Sequence, residues 1–579
     1  MSKGRLSLAI LCATMLVSGP LVGTASAHGP YSVTADTTSQ DATVTGTDGT
    51  TFSVRLLKPT ATAPQGGWPV IIWRTGQGSS RCSEDDFITR SQLASYGYVV
   101  VSMTARGWPS KANSTHCGAS DQASAIADMM NDSGNDLYGP NDIQDTKDVL
   151  SWALNQADTD DGNVGFFGHS HDGGLAYHLA LADSRIDAVF AGAGLSYFLK
   201  GDNIADVSNY PNAPLTGMLA ANFVDPDIGL DRHHDPSVYD NLSAWWSARF
   251  LDTTPTTANE TWMNDRTFVD DDSAVDQGPY LTTPIFISHG FLDDSSVSVE
   301  HGIQAWEHLT NNNDKYLYLG ACNSHGNPCG SGNASWLADK VHDFFDKYLK
   351  GASVTMGGPI FYLPPPTGTT WSGSAWSSSS DWGDPGESSI WPPNWTGYSV
   401  PYKIALYLRD SGILSDTAPT TDETDDTIDS PNVDSQLTSL CQSETYTTGE
   451  YAEYVSGAFG ADLKMVDLVA DLHMSSDTDR MQVYVDLFQL DPSTQVETRL
   501  YRTPWPATTP TAIGQTAGTV VNFQFKPHTI GWTWEAGMKL MVRVASNYPA
   551  GFAAEPVPAE YTIYHDSDKK SRLIVTFAP

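Results

Sequence analysis

The stretch from Asn163 to Asp183 constrains the fold of this chain more than any other. An apolar run, Asn163-Val-Gly-Phe-Phe167, passes into Gly168-His169-Ser170-His171-Asp172-Gly173-Gly174 and then into a helical pattern that ends at Asp183. A strand that becomes a helix within a few residues needs small residues where the two nearly touch, and Gly168 and Gly173 supply them. A turn this sharp exposes the serine at its tip, which is the geometry of a nucleophile elbow. The usual G-x-S-x-G spacing is stretched by one, because Asp172 stands where the second glycine is expected and Gly173 follows it.

The neighbouring segments supply the sheet that such an elbow needs. Residues 41 to 58 alternate around Thr47-Asp48-Gly49 and predict a hairpin. Short apolar runs at Pro69 to Trp73, Tyr98 to Ser102, Ala188 to Phe190, Pro284 to Ser288 and Lys315 to Leu319 predict strands. Helical spacing at Asp142 to Asn155, Gly174 to Asp183 and Trp336 to Leu349 alternates with them. That rhythm predicts a mostly parallel α/β sheet, here the α/β-hydrolase fold. Between Leu195 and Leu281 the strand rhythm stops, and the insert predicts a helical cap over the site. After Gly351 come irregular stretches at 364 to 398 and 411 to 436. Alternating runs then follow at Leu463 to Met474, Met481 to Leu490, Val520 to Phe525 and Leu540 to Ala545, which predict an all-β sandwich. The expected layout is a catalytic α/β domain over 28–195 and 282–351, a cap over 196–281, and a sandwich over 352–579.

A serine hydroxyl is a weak nucleophile, so Ser170 needs a base, and the base needs an orienting acid. In this fold the chain order is serine, acid, histidine. Ser288-His-Gly290-Phe-Leu-Asp293-Asp294 follows the next-to-last core strand, and the spacing from Gly290 favours Asp293 over Asp294. Ala321-Cys-Asn-Ser-His325 follows the last strand and makes His325 the expected base. His301, His308 and His342 fall on helical patterns and read as packing or surface residues. The amide of His171 is one expected oxyanion donor, and the loop Thr75 to Ser80 is expected to hold the second. Asp172 reads either as a lure for a substrate ammonium or as a structural residue. No cofactor or metal is expected, since neither Asp158 to Gly162 nor Asp231-Arg-His233-His234-Asp235 has ligand spacing.

These residues resemble the X-prolyl dipeptidyl-peptidase family of serine peptidases and the related cocaine-esterase-like acyl hydrolases. The family's elbow reads G-x-S-Y-x-G, matched here by Gly168-His-Ser170-His171-Asp-Gly173, with His171 in the tyrosine's place. Asp142, Asp145 and Trp152 followed by Asn163-Val164-Gly165 look like the segment ahead of that elbow. Trp262 to Phe268, then His289-Gly290-x-x-Asp293, is similar to the peptidase branch, and Phe344 to Gly351 to the closing helix. Met481 to Pro492 and Ala536 to Ser546 look like strands of the family's C-terminal jelly roll. The resemblance implies acyl-enzyme chemistry on an N-terminal X-Pro peptide, or alternatively on an ester, amide or β-lactam. It also implies that a tyrosine side chain helps hold the oxyanion, yet the loop from Trp73 to Arg81 has none. A reading from another class, a carbohydrate- or surface-binding protein with an idle hydrolase domain, conflicts with the intact Ser-Asp-His order.

The remaining features bear on location. Lys3 and Arg5, the apolar run Leu6 to Val17 and Ala25-Ser26-Ala27 form the three-part pattern of a secretory signal, with cleavage expected near Ala27 and an extracellular mature chain. Without those residues, 29 basic side chains face 68 acidic ones, a net charge of about −39. Such a charge disfavours nucleic acid and anionic membrane as partners but does not identify a substrate; a small peptide or ester substrate is what the resemblance implies. Of six cysteines, Cys12 lies in the signal; Cys322 with Cys329 and Cys82 with Cys117 are the expected pairs, with Cys441 left over.

Overall fold

The computed structural model describes residues 36–76, 80–85, 87–106, 134–197, 256–270, 272–290, 299–320, 330–356, 360–362, 402–430, 449–461, 463–479, 483–505, 516–525, 532–546 and 558–578, with the single positions Val238, Asn241, Asp293 and Met481. Nine strands form the first sheet: β1 (Thr37–Thr45), β2 (Thr51–Pro59), β3 (Trp68–Arg74), β4 (Val99–Met103), β5 (Thr159–His169), β6 (Ala188–Gly192), β7 (Ile285–Gly290), β8 (Lys315–Gly320) and β9 (Ile360–Tyr362). Their spatial order is β1-β2-β4-β3-β5-β6-β7-β8-β9. The β1–β2 and β2–β4 pairs are antiparallel, and every pair from β4–β3 onward is parallel.

A parallel strand with helices on both faces has no wet side, so its sequence loses the polar alternation of a surface strand. Every residue of β3, β4, β6 and β7 is buried. The alternation survives as a choice of face. Val70 and Ile72 join one core, with Val149 and Leu150 of α2 (Pro140–Leu154), Leu175 and Leu179 of α3 (His171–Ala182) and Ile303 of α5 (Val299–His308). Ile71 and Trp73 join the other, with Leu93 of α1 (Arg90–Ser95) and Leu337, Val341, Phe344 and Phe345 of α6 (Gly330–Leu349). Between α3 and α5 in the chain lies α4 (Thr257–Asn264). Helix α2 starts at Gly139-Pro140, and its first amides donate to Asp136, Asn141 N–H at 2.8 Å and Asp142 N–H at 2.9 Å.

The second sheet, of twelve strands from Tyr402–Arg409 to Arg572–Ala578, is antiparallel except for one pairing, Ile413 with Val455. Strand Leu463–Ser476 is its spine, pairing along its length with Arg572–Ala578, Ala559–Ile563, Val521–Phe525 and Trp532–Trp534. Leu472, Val485, Val542, Tyr561 and Val575 meet in its core. The chain is thus an α/β-hydrolase sheet followed by an antiparallel β domain.

Two features differ from the sequence expectation. Ile360–Tyr362 pairs with β8, so the first sheet continues past residue 351, where the catalytic domain was expected to end. Residues 411 to 436 were expected to be irregular, yet Ile413–Ser415 and Asp426–Ser430 are strands. Each is short, and the second pairs with Ala559–Ile563, more than a hundred residues away in sequence. Local patterning does not carry a pairing that distant. Most of the expected cap, 198–255, lies outside the described residues apart from Val238 and Asn241.

Candidate active site

Ser170 sits between the last residue of β5 and the first of α3, with φ 58° and ψ −124°. A positive φ at a non-glycine residue costs about 1–3 kcal/mol and persists only where its surroundings fix it. Here they do. Ser170 N–H donates to the Gly192 carbonyl at 2.8 Å, while the Ser170 carbonyl accepts from Gly173 at 2.9 Å and Gly174 at 3.2 Å. A methyl group at Gly168 would lie 2.0 Å from the Asp172 carbonyl oxygen, and one at Gly173 would lie 2.3 Å from that of Gly192. Both glycines are therefore required by close approach, and the shifted downstream glycine does the work of the usual one. Ser170 itself is half-buried.

The sheet register brings the strand ends to a common edge. His169 of β5 lies opposite Gly192, Gly192 opposite Ser288, and Gly290 of β7 opposite Gly320 of β8. Residues leaving β5, β7 and β8 thus start from the same side of the sheet. Asp293 follows β7, its N–H donating to the Gly290 carbonyl at 3.3 Å. Its side chain is fully buried, with Oδ2 3.9 Å from Nε2 of His289. The rival Asp294 and the expected base His325 lie outside the described residues, the latter between Gly320 and Gly330.

His171 is the first residue of α3, so no preceding turn supplies an acceptor for its amide. Its side chain turns inward. Nδ1 is 3.2 Å from Asp172 Oδ1, Nε2 is 3.2 Å from Asn135 Oδ1, and the ring lies 4.7 Å from that of Tyr138. The histidine in the place of the family's tyrosine therefore leaves only its backbone facing the site.

Asp172 also turns inward. It forms an ion pair with Arg74, Nε to Oδ1 2.8 Å, and Arg74 donates a hydrogen bond to Asp142 at 2.8 Å. All three side chains are 1% exposed. Burial would lower the pKa of Arg74, but the carboxylates of Asp142 and Asp172 hold it above its ordinary value. Burial would raise Asp142, but Arg74 and His171 keep its carboxyl below the ordinary range. Beside this group Arg106 grips Asp145 with two hydrogen bonds, 2.6 and 2.9 Å. Sequence reasoning missed this cluster. Its visible signal is Arg74, a charge closing an otherwise apolar strand, which has to find a buried partner.

The other expected residues fall as follows. His301 is buried and receives the Ser196 N–H on Nδ1 at 3.2 Å. His308 meets Asp276 at 3.0 Å, and His342 lies 3.5 Å from Asp346. Cys82 is disulfide-bonded, and every other cysteine lies outside the described residues. Gly76 N–H donates to Asp172 Oδ2 at 2.7 Å, so within the loop after β3 this amide is committed and is not the second oxyanion donor. Among the described residues no group of three metal-binding side chains is present.

Strand order, elbow and register together define a serine hydrolase of the α/β-hydrolase fold. Residues 48–326 match the family described as X-Pro dipeptidyl-peptidase (S15 family), and the α/β region of this chain belongs to it. Three solved structures share the architecture through both regions. An aminopeptidase from a marine sediment Thaumarchaeota archaeon is 15% identical with a TM-score of 0.60, over 96% of this chain and 99% of that one. An α-amino acid ester hydrolase is 13% identical with a TM-score of 0.60, over 97% and 100%. A CocE/NonD family hydrolase from Staphylococcus aureus is 14% identical with a TM-score of 0.56, over 93% of each. At these identities the likeness is one of fold. No curated protein matches the chain.

Proposed function

We propose that the chain is an exported peptidase that releases N-terminal X-Pro dipeptides through a triad of Ser170, Asp293 and His325. His325 takes the proton from Ser170 Oγ as the oxygen attacks the scissile carbonyl. Asp293 orients the imidazole and stabilises it once charged. The His171 amide and one donor from the loop after β3 receive the oxyanion. The proton passes to the leaving amine, and water then releases the acyl-enzyme. The observation that carries this reading is the match of residues 48–326 to the dipeptidyl-peptidase family, taken with the strained elbow at Ser170.

A second reading, an esterase or amide and β-lactam acylase, is favoured by Asp172. A dipeptide's free ammonium needs an acid, and the acid beside the nucleophile is buried against Arg74. For the peptidase, the cap must supply that acid; Asp265 is exposed and Asp270 buried. The two readings separate on Gly-Pro and Ala-Pro p-nitroanilides, their N-acetylated forms and p-nitrophenyl butyrate. Cleavage of the free-amine prolyl substrates alone, lost in Ser170→Ala, supports the peptidase. Ester cleavage without prolyl activity moves the assignment to the acylase. For export, the mature N-terminus recovered from the culture medium is expected at His28; protein retained uncleaved in the cell would contradict it.

A further inference from the structure

We propose that Asp172 and Asp85 are positioning residues that latch the loop after β3 to the two flanks of the nucleophile, an inference that rests on Ser170 as nucleophile. Asp172 lies two residues after Ser170 and holds the loop where it leaves β3. Its Oδ2 accepts the Gly76 N–H at 2.7 Å, and its Oδ1 meets Arg74 Nε at 2.8 Å. Asp85 holds the far end. Its Oδ2 lies 2.8 Å from Nδ1 of His169, the residue before Ser170, and its side chain is fully buried. Between the latches, Arg90 braces the loop by donating to the carbonyl oxygens of Arg81 and Cys82.

What the latches fix is the approach of backbone to nucleophile. Gly76 has φ +100°, and a methyl group there would lie 2.7 Å from Ser170 Cβ and 3.3 Å from Oγ. The peptide therefore rests directly on the reacting side chain, with no room for substitution or slack. This loop is also where the second oxyanion donor is expected. An oxyanion donor stabilises the transition state only if it is held where the charge develops.

The cost of the arrangement argues for the same role. A buried ion pair loses in desolvation much of what it gains in attraction, so it is a poor source of stability and a good one of fixed geometry. Asp172 spends its charge on aligning Arg74, Gly76 and His171 around one turn. The latches act on the transition state through the loop and do not touch the substrate.

The test uses the full chain, wild type and three variants: Asp172→Asn, Asp85→Ala and Ser170→Ala. Each is assayed for kcat and KM on whichever of Ala-Pro p-nitroanilide and p-nitrophenyl butyrate the wild type cleaves, for the rate of serine labelling by a fluorophosphonate, and for Tm. The expected result is a fall in kcat of roughly 10- to 100-fold in both aspartate variants with KM nearly unchanged, since a misplacement of about 1 Å costs this much. Labelling should slow in parallel, because the phosphonyl oxygen occupies the oxyanion position. Wild-type kcat in either folded aspartate variant, or a raised KM at unchanged kcat, overturns the latch. If Asp172→Asn does not fold, Asp85→Ala, which leaves the Arg74–Asp142 pair intact, decides alone. Activity surviving in Ser170→Ala overturns the nucleophile assignment and the latch together, whereas its loss there with no effect in the aspartate variants overturns the latch only.

Discussion

The two halves of this molecule treat charge in opposite ways. In the α/β half, beside exposed pairs such as Lys58–Asp158, several ion pairs are sunk with both partners dry: Arg74 with Asp142 and Asp172, Arg106 with Asp145, and Lys350 with Asp346, all at most 7% exposed. In the β half, each ion pair among the described residues keeps at least one partner more than a fifth exposed, as in Arg409–Glu423, Arg543–Glu453 and Arg572–Asp471. Burying both charges is expensive, and the β half does not do it among its described residues. The difference teaches where geometry matters: one dry group, Arg74 with Asp142 and Asp172, lies directly behind the elbow.

The largest expected effect tests the elbow itself. Ser170→Ala should lower kcat by about 10⁴-fold or more while leaving Tm within a degree or two. A large drop in Tm would mean that the serine holds the turn together instead of serving as its payload. Next comes the charge contrast. Arg74→Met strands two buried carboxylates and should cost about 3–5 kcal/mol in denaturant unfolding. A loss below about 1 kcal/mol would show the network to be wetter than its burial implies.

A smaller effect separates the halves by pH. Burial pushes His178, on the inner side of the elbow helix α3, down to about 4, so the α/β half favours the neutral ring. Its contribution is complete above the unfolded value of about 6.5 and is lost as pH falls toward 4, by up to about 3 kcal/mol. His565 in the β half moves the other way. Burial would lower its pKa, but Asp426 at 3.2 Å and the Leu408 carbonyl at 2.9 Å raise it. Its stabilisation is present below about 6.5 and is lost as pH rises through the raised value. Calorimetry from pH 4.5 to 8.5 should therefore show His178→Gln narrowing the acid loss and His565→Gln narrowing the alkaline one; matching slopes in the two variants would contradict this. The smallest effect is Arg543→Met, expected to cost less than about 1 kcal/mol because Glu453 and Glu497 are half in water.

Much of the α/β half was legible because its signals are local. The apolar runs at Pro69 to Trp73 and Lys315 to Leu319 needed only one or two residues of extension to become β3 and β8. The elbow was legible for the same reason at Gly168, which is dictated by the Asp172 carbonyl four residues on, whereas Gly173 is dictated by Gly192 and Gly194 at the end of the next strand. What escaped was non-local. Asp426–Ser430 has a single core side chain, Ile428, and becomes a strand only through its distant partner. The inward turn of Asp172 depends on Arg74, which is remote in sequence and is brought to the elbow by its pairing with Gly168 in the sheet. No pattern along the chain distinguishes an aspartate that faces a substrate from one that faces an arginine.

The tripeptide β9 has a practical consequence for anyone dividing this protein into parts. Ile360–Tyr362 covers the outer rim of β8 from Tyr318 to Gly320. A truncation after α6, at the apparent seam between the halves, would strip that cover and leave a row of unpaired backbone groups, which is a template for aggregation. The workable cut for expressing the α/β half alone lies after Tyr362, and a fusion or swap of the β half should leave those three residues with the enzyme.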